Sequence, residues 1–235
     1  MTTQLISVQA EDLSSVLAIN DLLSDDDLCL MHLQQTIDVD PNVVKLVFGG
    51  AACLPAADRG RERFIGTVKL VIETIGIVDV IGLYAVRDFA LAEVEIDYWP
   101  VFWNRILCNK RSAYLSERIE AGLRQEELAH PDIKEQTKLL KQQYFDLKTR
   151  RDVMDRFKIP GLDQIDCEIT QSERSILTKI EQKIANHKRQ RDQAIRSLET
   201  YNKMAARRMR DMARNNDQAR LQIGDQGSEP APALI

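Results

Sequence analysis

The chain reads as an α+β protein: a small N-terminal domain of mixed helices and antiparallel sheet, followed by a long helical hairpin or three-helix coiled-coil arm. Three observations point there. Residues 64–98 are rich in Val and Ile, the residue types that favour strands. Residues 170–215 contain no proline or glycine. From Leu177 they run in heptads, with Leu177, Ile184, Arg191, Leu198, Ala205 and Met212 at one seam position and Ile180, His187, Ala194, Tyr201 and Arg208 at the other. Charge is also divided along the chain. Residues 1–110 hold 16 of the 36 acidic residues but only 8 of the 32 basic ones, whereas residues 171–220 hold 13 bases and 6 acids. Two parts with different surfaces are therefore expected: an acidic domain over 1–103 and a helical arm with a basic third helix over 104–220, with a disordered tail over 221–235.

Residues 11–36 read as two short helices, the second starting at Ser24, where Asp27 three residues on completes a capping signal. Asp40-Pro41-Asn42 punctuates the chain, and Val43–Phe48 reads as a short buried strand ended by Gly49-Gly50. Residues 51–63 read as a loop carrying Arg59, Arg61 and Arg63. The stretch 64–98 divides into strands over 64–73, 77–86 and 90–98, although a buried helix over 64–86 is the alternative that periodicity leaves open. In the last piece Ala92, Val94, Ile96 and Tyr98 alternate with Glu93, Glu95 and Asp97, as on a one-sided strand. Trp99-Pro100-Val101-Phe102-Trp103 reads as a hinge at which proline stops the strand.

Beyond the hinge the pattern is helical. Leu115, Ile119 and Leu123 mark a stripe on a first helix over 104–129. His130-Pro131-Asp132 ends it, and a second helix runs to about Lys158 with a stripe of Ile133, Leu140, Tyr144, Leu147 and Met154. Ile159-Pro160-Gly161 ends that, and Thr170 with Glu173 reads as the capping box of the third. If helices two and three fold back on each other, Ile133 lies near residue 196. Residues 198–215 then project roughly 27 Å past their partner, at 1.5 Å per residue.

The four cysteines, Cys29, Cys53, Cys108 and Cys167, are far apart, with no C-x-x-C, so reduced thiols are expected. The N-terminus lacks the basic start and apolar core of a signal peptide, and Lys69, Glu73 and Asp79 interrupt the one long apolar stretch. A cytoplasmic protein is expected.

No nucleotide-binding, zinc or nucleophile-elbow spacing is present, and the histidines His32, His130 and His187 lie far apart. Asp25-Asp26-Asp27 reads as first-turn acids complementing a helix dipole rather than as a metal site. Glu93, Glu95 and Asp97 could gather a cation on a strand face, but the solvated face is the simpler reading. Arg59, Arg61 and Arg63 could form an anion comb. The candidate binding surface is the third helix: Arg189, Arg191, Arg196, Tyr201, Lys203, Arg207, Arg208, Met209, Arg210, Met212 and Arg214. Arginines beside methionines and a tyrosine suit a protein partner or a second copy of the chain, with nucleic acid the alternative and a membrane not expected. The function expected is a non-enzymatic interaction or scaffold protein, with no cofactor and no metal.

Overall fold

The computed structural model describes residues 24–50, 54–56, 60–76, 79–125 and 130–226. The expected helix over 11–23, Arg59 and the tail from 227 lie outside these residues. Among the described residues every regular element is an α-helix, which overturns the α+β expectation. The order is α1 Asp25–Thr36, α2 Pro41–Phe48, α3 Arg61–Ile75, α4 Val80–Gln125, α5 His130–Phe145, α6 Arg150–Phe157, α7 Leu162–Ser172, α8 Arg174–Tyr201 and α9 Lys203–Gln226.

The start of α1 is as the sequence indicates. The Ser24 hydroxyl accepts from the Asp27 amide at 3.2 Å, and the Asp27 carboxylate accepts in return from the Ser24 amide at 3.3 Å. The segment read as a strand over 43–48 is instead α2. Asp40-Pro41 is not a break but a helix start: the Asp40 carboxylate accepts from the Asn42 amide at 2.8 Å, and Pro41 occupies the first helical turn.

The strands expected over 64–73, 77–86 and 90–98 are replaced by α3 and α4, residues 77–78 lying outside the described set. Burial explains why. Phe64, Val68, Val71, Ile72 and Ile75 recur at helical spacing and are all buried, as are Leu83, Val86, Phe89 and Ala90 on α4. Packing of such a stripe outweighs the modest strand preference of Val and Ile. The alternation at 92–98 is not one-sided either, since Ala92, Glu93, Val94, Glu95 and Ile96 are all buried. Pro100 does not end an element; it lies on the exposed side of α4, which continues to Gln125.

The contacts group into two compact units. The first joins the N-terminal residues through Tyr98 to a returning segment, Asn186–Arg220; the second comprises Trp99–Ala185 with the chain from Leu221. The linear division at 103 did not anticipate that return.

The first unit has a single core, in which Phe48, Phe64 and Phe89 pack with Leu198, Ala206 and Met209. Phe48 and Phe64 meet edge to face at 6.1 Å between ring centroids. Buried Cys29 belongs to this core, and burial pushes its thiol up from the ordinary cysteine value. Cys29, Cys108 and Cys167 are free thiols, and Cys53 lies outside the described residues.

The second unit is built on the expected stripe of Leu115, Ile119 and Leu123, packed with Ile133, Leu140, Tyr144, Ile165 and Ile169. The expected second helix is two: α5 stops at Phe145, and the Asp146 carboxylate accepts from the Lys148 amide in the turn before α6. Leu147 lies in that turn, 77% exposed, rather than on the stripe. Ile133 belongs to the core of the second unit, whereas residue 196 falls in the first. Thr170 is not a cap; it lies inside α7, whose N-cap is Gly161, while Glu173 closes α7 by donating its amide to the Ile169 carbonyl at 2.8 Å.

The long helix over 170–215 is likewise not one helix. It breaks at Asn202, whose side chain accepts from the Ala205 amide at 3.0 Å and so caps α9. Arg191 on α8 pairs with Asp217 on α9, and Glu199 pairs with Arg210. Both pairs require the two helices to run antiparallel, as an αα-hairpin with its turn at Asn202. The expected overhang therefore does not exist: Leu198, Ala205, Ala206, Met209 and Ala213 are buried in the core of the first unit. Also, α9 continues through Gly224 to Gln226, where a disordered tail had been expected.

Two helical glycines give opposite predictions. A Cβ at Gly66 on α3 meets open space, whereas at Gly122 on α4 it collides with the Phe157 ring. Gly66→Ala should stabilise the fold by about 0.5–1 kcal/mol through the helix preference of alanine. Gly122→Ala should destabilise it by about 1–3 kcal/mol through overpacking. Denaturant unfolding of the two variants, with equal shifts of the same sign, would contradict the packing of α4 on α6.

Candidate functional site

The site begins with a buried carboxylate. Glu93 on α4 is 3% exposed, and a charge so placed requires compensation. Compensation comes from both arms of the hairpin. From α8, Arg191 Nη1 donates to Glu93 Oε1 at 3.0 Å. From α9, Arg220 Nη2 donates to Glu93 Oε2 at 2.6 Å and Asn216 Nδ2 to the same oxygen at 2.8 Å.

The guanidiniums are shared further. Arg191 grips Asp217 with both terminal nitrogens, at 2.9 and 2.8 Å, in the bidentate geometry that a planar fork allows. Arg220 also donates to Asp217 at 3.0 Å and, through Nε, to Asp97 at 2.7 Å. Asp97 lies one turn beyond Glu93 on α4 and pairs in addition with Arg63 of α3 at 2.5 Å. His187 on α8, one turn before Arg191, brings Nε2 to 3.6 Å from a Glu95 carboxylate oxygen.

The electrostatics follow from this geometry. Burial opposes the charge on Arg191 and Arg220, but the hydrogen bonds that Arg191 donates to Asp217 and Glu93, and that Arg220 donates to Asp97 and Glu93, more than offset it and hold both guanidiniums protonated. The hydrogen bonds from Arg191 hold Asp217 below the usual carboxylate range.

The acidic trio is thus neither a solvated strand face nor a cation site. Glu93 and Asp97 are occupied by arginines, and among the described residues no group of three His, Cys, Asp or Glu could hold a metal ion. The arginine comb dissolves as well. Arg61 turns to Asp26 and to the Pro55 carbonyl, while Arg63 turns to Asp97.

The third-helix residues divide into two groups. Arg191, Met209 and Met212 face inward: Arg191 is 6% exposed, Met209 is fully buried and Met212 is partly buried against the core. Arg189, Arg196, Lys203, Arg207, Arg208, Arg210 and Arg214 are exposed, as is Tyr201 at 52%. Some are tethered at the surface: Arg208 donates to the Thr74 carbonyl of α3 at 3.1 Å, and Arg210 pairs with Glu199. Arg220 and Asn216 escaped sequence reasoning. The available signal was a polar interruption of an apolar seam at His187 and Arg191, set against acids on another segment at 93, 95 and 97.

The two units define an all-α protein with an ion-paired helical hairpin. No family model, curated protein or solved structure matches the chain. No helix among the described residues is long and apolar enough to cross a membrane.

Removing one member of a buried, hydrogen-bonded ion network leaves the others uncompensated. Arg191→Met should cost about 3–5 kcal/mol in unfolding free energy, whereas Asp192→Ala, exposed on the next position, should stay within about 0.5 kcal/mol. Equal effects in chemical denaturation would contradict the network. Because the Asp217 value is lowered by folding, its contribution is present above about pH 4 and lost as pH falls through the depressed value. Thermal melting between pH 7 and pH 3 should show that loss, and Asp217→Asn should flatten it.

Proposed function

We propose that the protein is a non-enzymatic interaction module that docks an acidic protein partner on the outer face of the α8–α9 hairpin. One observation carries this reading. Between residues 186 and 215 the exposed basic side chains are Lys188, Arg189, Arg196, Lys203, Arg207, Arg208, Arg210 and Arg214, against three acidic side chains, Asp192, Asp211 and Glu199, the last paired with Arg210. The inward face of the same hairpin is used by the fold, so the basic surplus lies on the side open to a partner.

The hairpin turn adds apolar anchors to this charge. Tyr201 is 52% exposed and Met204 63% exposed, on either side of Asn202 and next to Lys203. Tyrosine, methionine and arginine are the residue types enriched in protein–protein interfaces. A surface that only tracks phosphates needs no apolar anchor, which favours a protein over nucleic acid. Pairing of two copies through the heptad seam loses its support, because Ala205, Met209 and Met212 pack inside the chain's own first unit.

The test is fluorescence anisotropy with a labelled oligoglutamate peptide and a labelled DNA duplex, at about 50 mM and about 200 mM salt. The peptide should bind, and Lys203→Glu with Arg207→Glu should weaken it about tenfold or more while the melting temperature holds. Tighter binding of the duplex than of the peptide would favour the nucleic-acid reading instead. Binding of neither at low salt, or indifference to the charge reversal, would contradict a basic docking face.

A further inference from the structure

A second feature lies in the other unit and is independent of the hairpin. An open groove of about 630 Å³ runs between α4 and α5. On α5 it is lined by Lys134, Thr137, Lys138, Lys141, Gln142 and Phe145, which recur at three- and four-residue spacing and so share one helix face. On α4 it is lined by Ser116 and Glu120, one turn apart. We propose that this groove binds an organic phosphate, a phosphate ester with an apolar or aromatic body.

Charge selects an anion. Three lysines converge on the groove against a single acid, Glu120, which itself accepts from Arg124 at 3.4 Å. Hydroxyl chemistry narrows the choice. The Lys141 ammonium donates to Ser112 Oγ at 2.7 Å and to Ser116 Oγ at 3.0 Å. An ammonium has three donors, so one remains for a ligand, and each serine that accepts from lysine keeps its own O–H to donate. A half-buried lysine fixed between two hydroxyls is a placed cation, unlike a lysine extended into solvent.

Thr137 supplies the second observation. It is 5% exposed, lines the groove, and its buried hydroxyl has no hydrogen-bond partner among the described residues. A buried hydroxyl ordinarily finds one. An oxygen-rich anion seated on Lys138 and Lys141 presents several acceptors in one place, as a phosphate does.

Size and the far end of the groove set the rest of the ligand. The volume falls within the range of small-molecule sites, about 300–1,000 Å³, and far exceeds that of a bare phosphate. Phe145, 38% exposed, closes the C-terminal end of the lining face and offers an aromatic surface to the body of an ester.

The experiment is calorimetric titration of the full chain with phenyl phosphate and with inorganic phosphate. Phenyl phosphate should bind at least about tenfold more tightly than inorganic phosphate. Lys138→Gln and Thr137→Val should each weaken both probes, by about threefold to tenfold for the exposed lysine. Phe145→Ala should weaken phenyl phosphate alone, and Lys148→Gln, outside the groove, should change nothing. Lys141→Gln is the stronger variant where it folds, and Lys138→Gln leaves the inter-helix hydrogen bonds of Lys141 in place. No heat with either probe at about 10 mM, or an affinity unmoved by Lys138→Gln, overturns the site. Equal affinity for the two probes, or no effect of Phe145→Ala, overturns the assignment to an ester.

Discussion

Glu93 carries a charge in the interior of a helical unit, where an uncompensated ion costs several kcal/mol even after local relaxation. Among the described residues its compensation comes from more than ninety positions away: Arg191, Asn216 and Arg220. Arg191 and Arg220 stand on opposite sides of Asn202, and a straight helix would hold them far apart. They can reach one carboxylate only if the chain reverses between them. The cap at Asn202, the antiparallel arms and the burial of Met209 are consequences of that requirement as much as contributors to it. The cluster also has registry value, since a one-turn slip of either arm would leave the carboxylate without its donors.

The division of charge along the chain acquires a different meaning in this light. An acidic first half and a basic last third look like two domains with two surfaces. In the fold they are partly one polar cluster, with Glu93 and Asp97 from the acidic part facing Arg191 and Arg220 from the basic part. Only the surplus reaches solvent. That surplus is what the docking proposal rests on, and it is smaller and more localised than the arginine content suggests.

The parts of the fold legible in the sequence were those set by local chemistry. The Ser24–Asp27 cap and the stripe of Leu115, Ile119 and Leu123 need only neighbours three or four residues away. The parts that were not legible depend on distant partners. Val68, Val71 and Ile72 prefer strands in isolation, yet their helical spacing wins because α3 buries a whole stripe. The alternation of acids at 93, 95 and 97 imitates a strand because the helix there is buried on nearly all sides. Asn202 stands in a stretch with no proline or glycine, and one asparagine is too little punctuation to announce a hairpin. Of the candidate residues, Arg189, Arg196, Lys203, Arg207, Arg208, Arg210 and Arg214 lie exposed, while Arg191 is buried among carboxylates, Met209 lies in the core and Met212 packs against it.

The reversal at Asn202 is open to direct measurement. Spin labels placed at the exposed positions Lys188 and Gln218, in a background lacking the four native cysteines, report the distance between the arms by double electron–electron resonance. Packed antiparallel helices lie about 8–10 Å apart, so with label linkers the distance should centre at about 15–25 Å. A continuous helix would place the same positions about 45 Å apart, and a distribution centred there would contradict the hairpin and the ion network that depends on it.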